Sequence, residues 1–128
     1  MNAHQTVVWL DHQEARVFGL DAEQLQSQTV TAPKHHFHRH PKGSTPEHNH
    51  PSDDTHFFRD VAAVLSGADQ VLVVGPATTK LQFLRYLTKH DQALESKVVG
   101  VETVDHPTDR QLVAHARHYF DPKNYPRN

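Results

Sequence analysis

Hydrophobic and polar positions set out a chain of apolar segments broken by one long polar stretch. TVVWL (Thr6 to Leu10) reads as a strand, DHQE (Asp11 to Glu14) as a turn, and ARVFGL (Ala15 to Leu20) as the returning strand of a hairpin. After DAEQ, LQSQTV (Leu25 to Val30) alternates weakly, as a third antiparallel strand with one solvated face would. HFFRDVAAVLSG carries Phe57, Phe58, Val61, Val64 and Leu65 at helical spacing and ends at Gly67. It starts after Ser52, Asp53 and Asp54, any of which suits a cap. QVLVVGP is a continuous apolar run before Gly75-Pro76 and reads as a buried central strand. TTKLQFLRYLTKH reads as a helix, with Thr79 and Gln82 at capping-box spacing and Leu81, Leu84 and Leu87 on one face. KVVGVETV (Lys97 to Val104) is the following strand. Thr108 to Phe120 closes the chain as a helix. Thr108 and Gln111 again have capping-box spacing, and Leu112, Val113, Ala116, Tyr119 and Phe120 form its apolar side.

Three strands, helix, strand, helix, strand, helix is an α/β order. An antiparallel three-strand meander, then a βαβ unit and a C-terminal helix, predicts a mixed, twisted sheet with helices packed against it. The length suits a single domain over residues 1–128, with a polar insertion at 31–54 and a frayed tail at 121–128. Connections as long as this insertion are usually functional or disordered. Exposed edges of a mixed sheet are compatible with a homodimer.

Composition sharpens the reading of the insertion. Apolar residues make up 36% of the chain, and the shortfall is local, because Pro33 to Asp54 contains only one large apolar residue, Phe37. Thirteen basic and fifteen acidic residues give a net charge of −2. That balance argues against a broad nucleic-acid field, so no DNA partner is expected, while a local basic patch stays open. The absence of cysteine excludes disulfides, a cysteine nucleophile and thiolate metal sites. The N-terminal MNAHQTVVWL lacks the basic flank and apolar run of a secretion signal. No segment approaches the roughly 20 apolar residues of a membrane span. No membrane partner is expected, and the cytoplasm is the default location.

Candidate chemistry concentrates in HHFHRHPKGSTPEHNH, His35 to His50, which holds six histidines in sixteen residues. Its first half is basic: Lys34, Arg39 and Lys42 suit phosphates, His35, His36, His38 and His40 add donors, and Phe37 is placed to stack on a base. The same histidines suggest a metal site, in which His36, His38, His40, His48 and His50, with His35 and Asp53, offer ligands suited to zinc, nickel or copper. No HExxH or cysteine-containing signature accompanies them. A solvated insertion without specific binding is the third reading. Gly75-Pro76 belongs to no nucleotide-binding motif, although the helix start after it could accept an anion, with Lys80 nearby. In DHPTD, Asp105 and His106 suggest acid–base chemistry, while Pro107 and Thr108 equally explain a capped helix start. Trp9, in a strand, is most simply core.

WLDHQEARVF resembles the opening hairpin of the middle domain shared by eukaryotic and archaeal class-1 release factors and the ribosome-rescue factor Pelota. VLVVGPATTKLQFLRYL resembles the strand, Gly-Pro, Thr-Lys and helix segment of the same domain. KVVGVETVDHPTDRQLVAHARHYF is similar to a small bacterial group labelled translational machinery proteins, a likeness extending over nearly the whole chain. The resemblance implies an RNase H-like fold and association with RNA or the ribosome. In release factors the loop after the opening strands carries Gly-Gly-Gln and promotes peptidyl-tRNA hydrolysis. Here the equivalent stretch has only Gly43, within PKGSTP, and no glutamine, so no hydrolytic role is transferred. Pelota-like relatives instead have a basic segment there, which the His-rich segment matches better. Without their flanking domains, this chain is expected to act alone or with a partner. An RNase H-like fold also raises a two-Mg²⁺ carboxylate cluster, for which only Asp11, Asp105 and Asp109 are placed; Asp11 has the alternative role of capping its own turn.

These readings converge on a non-enzymatic, RNA- or ribosome-associated domain for translation termination or rescue, without a resident cofactor. The alternatives are a metal-binding module holding zinc or nickel, and a peptidyl-tRNA or nucleic-acid hydrolase.

Overall fold

Strict alternation of side chains across the strands decides the architecture. In a computed structural model, which describes residues 4–20, 26–32 and 51–121, Val8 and Leu10 turn to one side of the sheet while Val7 and Trp9 turn to the other. The order of elements is β1 (Gln5–Leu10), β2 (Glu14–Gly19), β3 (Gln26–Thr31), α1 (Pro51–Leu65), β4 (Gln70–Gly75), α2 (Thr79–His90), α3 (Gln92–Glu95), β5 (Val98–Thr103) and α4 (Asp109–Phe120). The five strands form one mixed sheet in the order β3-β2-β1-β4-β5. β2 runs antiparallel to both β1 and β3, whereas β4 is parallel to β1 and β5. This is the meander followed by parallel crossovers that the pattern predicts, in the RNase H-like arrangement the resemblance implies.

One face is covered by α1, α2 and α3. Phe57, Phe58, Val61, Ala62 and Leu65 of α1, Phe83 and Leu87 of α2, and Leu94 of α3 pack on Val8, Leu10, Ala15, Val17, Val71 and Val73. The other face carries α4, whose Leu112, Ala116 and Phe120 meet Val7, Trp9, Phe18, Leu72 and Val74. Val71 to Val74 are wholly buried because β4 lies between two strands and between two helical layers. Gly75 is required by closeness, since a Cβ there would overlap the Leu10 carbonyl oxygen.

Several local readings differ from the structure. α1 begins at Pro51, ahead of the three residues expected to precede it. Proline suits a first helical turn, where its missing N–H costs nothing. The N-cap of α2 is Thr78 in a helical conformation with no side-chain cap bond, so the Thr79/Gln82 box does not form. Leu81 is 48% exposed, and the face that α2 buries runs through Lys80, Phe83 and Leu87. The aromatic Phe83 captures the core because it meets Phe58 at a ring-centroid distance of 5.6 Å. The short α3, capped by Asp91 accepting from Leu94 N, has no counterpart in the expected elements. The Thr108/Gln111 capping box at the start of α4 is present with both of its hydrogen bonds. The polar insertion from 33 to 50 and the tail after Asp121 lie outside the described residues.

Candidate functional site

The three parallel strands end on one edge of the sheet, and that carboxyl edge gathers Trp9, Asp11, Arg16, Asp105, His106 and Asp109. Open α/β sheets characteristically present ligands there. β1 ends in the turn from Asp11 to Gln13, β4 in Gly75-Pro76, and β5 in the segment leading to Thr108. β3 reaches the same edge, where Ala32 N donates to the Gln13 carbonyl oxygen at 2.8 Å. α1 must run back across the sheet, because β4 starts in register with the start of β1. The chain therefore leaves this edge at Ala32 and returns toward it at Pro51.

Trp9 is the centre of the arrangement. Its ring is buried on the α4 face, and its Nε1 donates to the carbonyl oxygens of Asp105 at 2.7 Å and Val104 at 3.3 Å. The hairpin register places Arg16 directly across from Trp9. Its guanidinium lies 4.5 Å from the indole ring centre, a cation–π contact. From there Nη1 donates to Asp109 Oδ1 at 2.6 Å and Nη2 to the Pro107 carbonyl at 3.1 Å. Arg16 Nε is buried without a hydrogen-bond partner, and the Glu14 carboxylate at 3.8 Å supplies charge alone.

Asp11 caps its own turn: Oδ1 accepts from the backbone N–H groups of Gln13 at 2.8 Å and Glu14 at 3.0 Å. Its other oxygen lies 3.7 Å from His106 Nε2, while His106 Nδ1 is 3.0 Å from Asp105 Oδ1. The imidazole also rests against Trp9, with ring centroids 5.1 Å apart. The β1–β2 hairpin is thus latched to the β5–α4 connection through Trp9, Arg16 and Asp11. Asp11 and Asp105 converge on His106, but Asp109 belongs to Arg16. Among the described residues no three histidine or carboxylate groups are placed to hold a metal ion.

The expected anion-binding residue behaves differently from a surface lysine. Lys80 is 6% exposed, and its ammonium group donates to the Ala77 carbonyl within the turn that precedes α2. One of its donors is thereby directed at the chain's own corner. The expected contact residues Lys34, His35, His36, Phe37, His38, Arg39, His40 and Lys42, and the alternative ligands His48 and His50, lie outside the described residues. Arg16 went unnoticed in the sequence, yet its signal was there: a hairpin turning over Asp11 to Glu14 must pair Leu10 with Ala15 and Trp9 with Arg16.

No protein-family model and no curated protein sequence matches the chain. Solved structures do. Pelota from Archaeoglobus fulgidus superposes with a TM-score of 0.66 at 15% identity, over 97% of this chain and 33% of that one. Pelota from Thermoplasma acidophilum gives 0.63 at 19% identity, over 94% of this chain and 34% of that one. An archaeal translation termination factor, aRF1, gives 0.55 at 14% identity, over 94% of this chain and 38% of that one. The chain thus spans about a third of the length of these proteins, and what it shares with them is the fold.

Proposed function

We propose that the chain is a non-enzymatic domain that associates with RNA or the ribosome in translation termination or rescue, and that it acts in the cytoplasm. The observation that carries this reading is the fold likeness to Pelota and to a translation termination factor, which extends over nearly the whole chain. The mutual pairing of Arg16, Asp109, Asp11 and His106 supports a scaffolding part for the carboxyl edge rather than a chemical one. The segment that leaves that edge after Ala32 carries Lys34, Arg39 and Lys42 for phosphate contact, Phe37 for stacking on a base, and His35, His36, His38 and His40 as further donors. Its lack of Gly-Gly-Gln supports contact without peptidyl-tRNA hydrolysis.

The test is cosedimentation with ribosomes, empty and stalled, from the native cell, followed by RNA titration at several salt concentrations. The wild-type chain is expected to cosediment. Changing Lys34, Arg39 and Lys42 together to alanine should weaken binding and make the salt dependence shallower by about two logarithmic units per logarithmic unit of salt. The melting temperature should not move. Unchanged binding in that variant, or no cosedimentation in any ribosome state, defeats the proposal. Stoichiometric zinc or nickel retained through dialysis by untagged protein, alongside unchanged RNA binding, would move the histidines to a metal-binding role.

A further inference from the structure

The two outer strands of the sheet are unlike one another. β3 is polar, QSQTVT, and its Ser27, Gln28 and Thr29 are exposed. β5 is VVGVET, with no proline or lysine in the strand and a single charge, Glu102. Those are the residues that commonly discourage edge pairing. Val101 is 38% exposed, and Leu81 is the other large apolar side chain so exposed among the described residues. A strand added at β3 would bury little apolar surface, whereas one added at β5 would cover valine.

The hydrogen bonds of β5 narrow the choice of partner. The Lys97 carbonyl accepts from Val71 N, and Val104 N donates to the Gly75 carbonyl, both at 2.9 Å. Lys97 and Val104 therefore turn backbone groups toward β4. Successive residues of a strand turn theirs to opposite sides, which alone would give these two residues opposite directions. The ladder, however, slips by one residue, with Val71 opposite Val98 and Leu72 opposite Gly100. Before the slip Val98 faces outward, and after it Val101 and Thr103 do.

This pattern is complementary to itself. In an antiparallel arrangement Val98 can stand opposite Val101 of a second copy, both offering outward N–H and C=O groups. The same register sets Val99 opposite Gly100 and Lys97 opposite Glu102. The side chains agree. Val98 packs with the α1–α2 face, and Val101 pairs with Val73 of that face. Val99 packs with the α4 face, where Gly100 pairs with Leu72. Glu102 lies on the α4 face beside His115, at 2.6 Å from its Nε2, and alternation from Val98 places Lys97 there too.

We infer that β5 is a homodimerisation edge: two copies pair through it antiparallel about a two-fold axis, joining their sheets into one of ten strands. The occupant is a second copy of this chain, because in this register β5 sets its own valines and its own opposite charges face to face. A strand pair buries less than the roughly 1,200 Å² of a standard interface, which places the dimer among weak, concentration-dependent associations.

Sedimentation velocity of the full chain from micromolar to millimolar concentration tests this. A rising weight-average mass that approaches twice 14.6 kDa is expected. Val101→Lys should weaken association by about tenfold or more, through a buried, unpaired charge. Lys97→Glu should also weaken it, by setting two pairs of like charges face to face. The double variant Lys97→Glu with Glu102→Lys should restore it, because the same pairs form with their signs reversed. Circular dichroism and melting of each variant separate loss of pairing from loss of fold. A monomer across the whole range overturns the inference. So does a dimer that ignores Val101→Lys, or one that the charge exchange fails to rescue in a folded double variant.

Discussion

On one face of the sheet, α1, α2 and α3 lay Phe57, Phe58, Phe83 and Leu87 over the strands, and their contacts are apolar and wholly interior. On the other face, α4 covers the middle of β1 and β4, and the cover is completed at the carboxyl edge by Trp9, Arg16 and the connection from Val104 to Thr108. The first face is closed by packing, which is strong and tolerant of direction. The second is closed at its edge by hydrogen bonds, a cation over a ring and an ion pair, which contribute less but fix geometry. The difference shows how a small sheet with fewer helices on one side can still close an edge. It also explains why the edge where residues 33–50 depart carries polar groups engaged chiefly with each other.

Stability measurements can break this comparison. Phe83→Ala should have the largest effect, about 3–5 kcal/mol in denaturant unfolding, because its ring is fully buried between α1 and the sheet. Trp9→Phe should cost about 1–3 kcal/mol, combining a small cavity with two carbonyl oxygens left without their indole donor. Arg16→Met keeps the hydrophobic stem over the indole and removes the charged head, at an expected cost of about 1–2 kcal/mol. A double-mutant cycle with Asp109→Asn should assign no more than about 1 kcal/mol to their ion pair, since the Asp109 side chain is 65% exposed. His106→Ala, at a ring 63% exposed, should stay within about 0.5 kcal/mol. If Arg16→Met proved as costly as Phe83→Ala, the latch would have to be counted as core and the contrast between the faces would fall.

The elements themselves were legible because each rests on a local period. Apolar runs on either side of a polar turn marked β1 and β2, weak alternation marked β3, a continuous apolar run marked β4, and helical spacing marked α1, α2 and α4. The box at Thr108 and Gln111 was readable for the same reason, as both partners lie within one turn. Where two local readings competed, the chain gave no means of choosing. Leu81, Leu84 and Leu87 make as good a stripe as Phe83, Leu84 and Leu87, and only the position of Phe58 on the neighbouring helix buries Phe83 and leaves Leu81 outside. The same limit applied at Lys80, which the sequence places only as an anion-site candidate by a helix start and which its position on the buried side of α2 turns onto Ala77.

Local patterning in this chain was enough to specify strands, helices and the order in which a mixed sheet would be built from them. The meeting of Trp9 with Asp105, of Arg16 with Asp109, and of Asp11 with His106 was decided by the tertiary structure. Arg16 and Asp109 are 93 positions apart. They become neighbours because β4 pairs in parallel with both β1 and β5, bringing the ends of distant strands to one edge. Alternation tells a side chain which face to take, but the partner it finds there depends on which strands lie side by side and in what register.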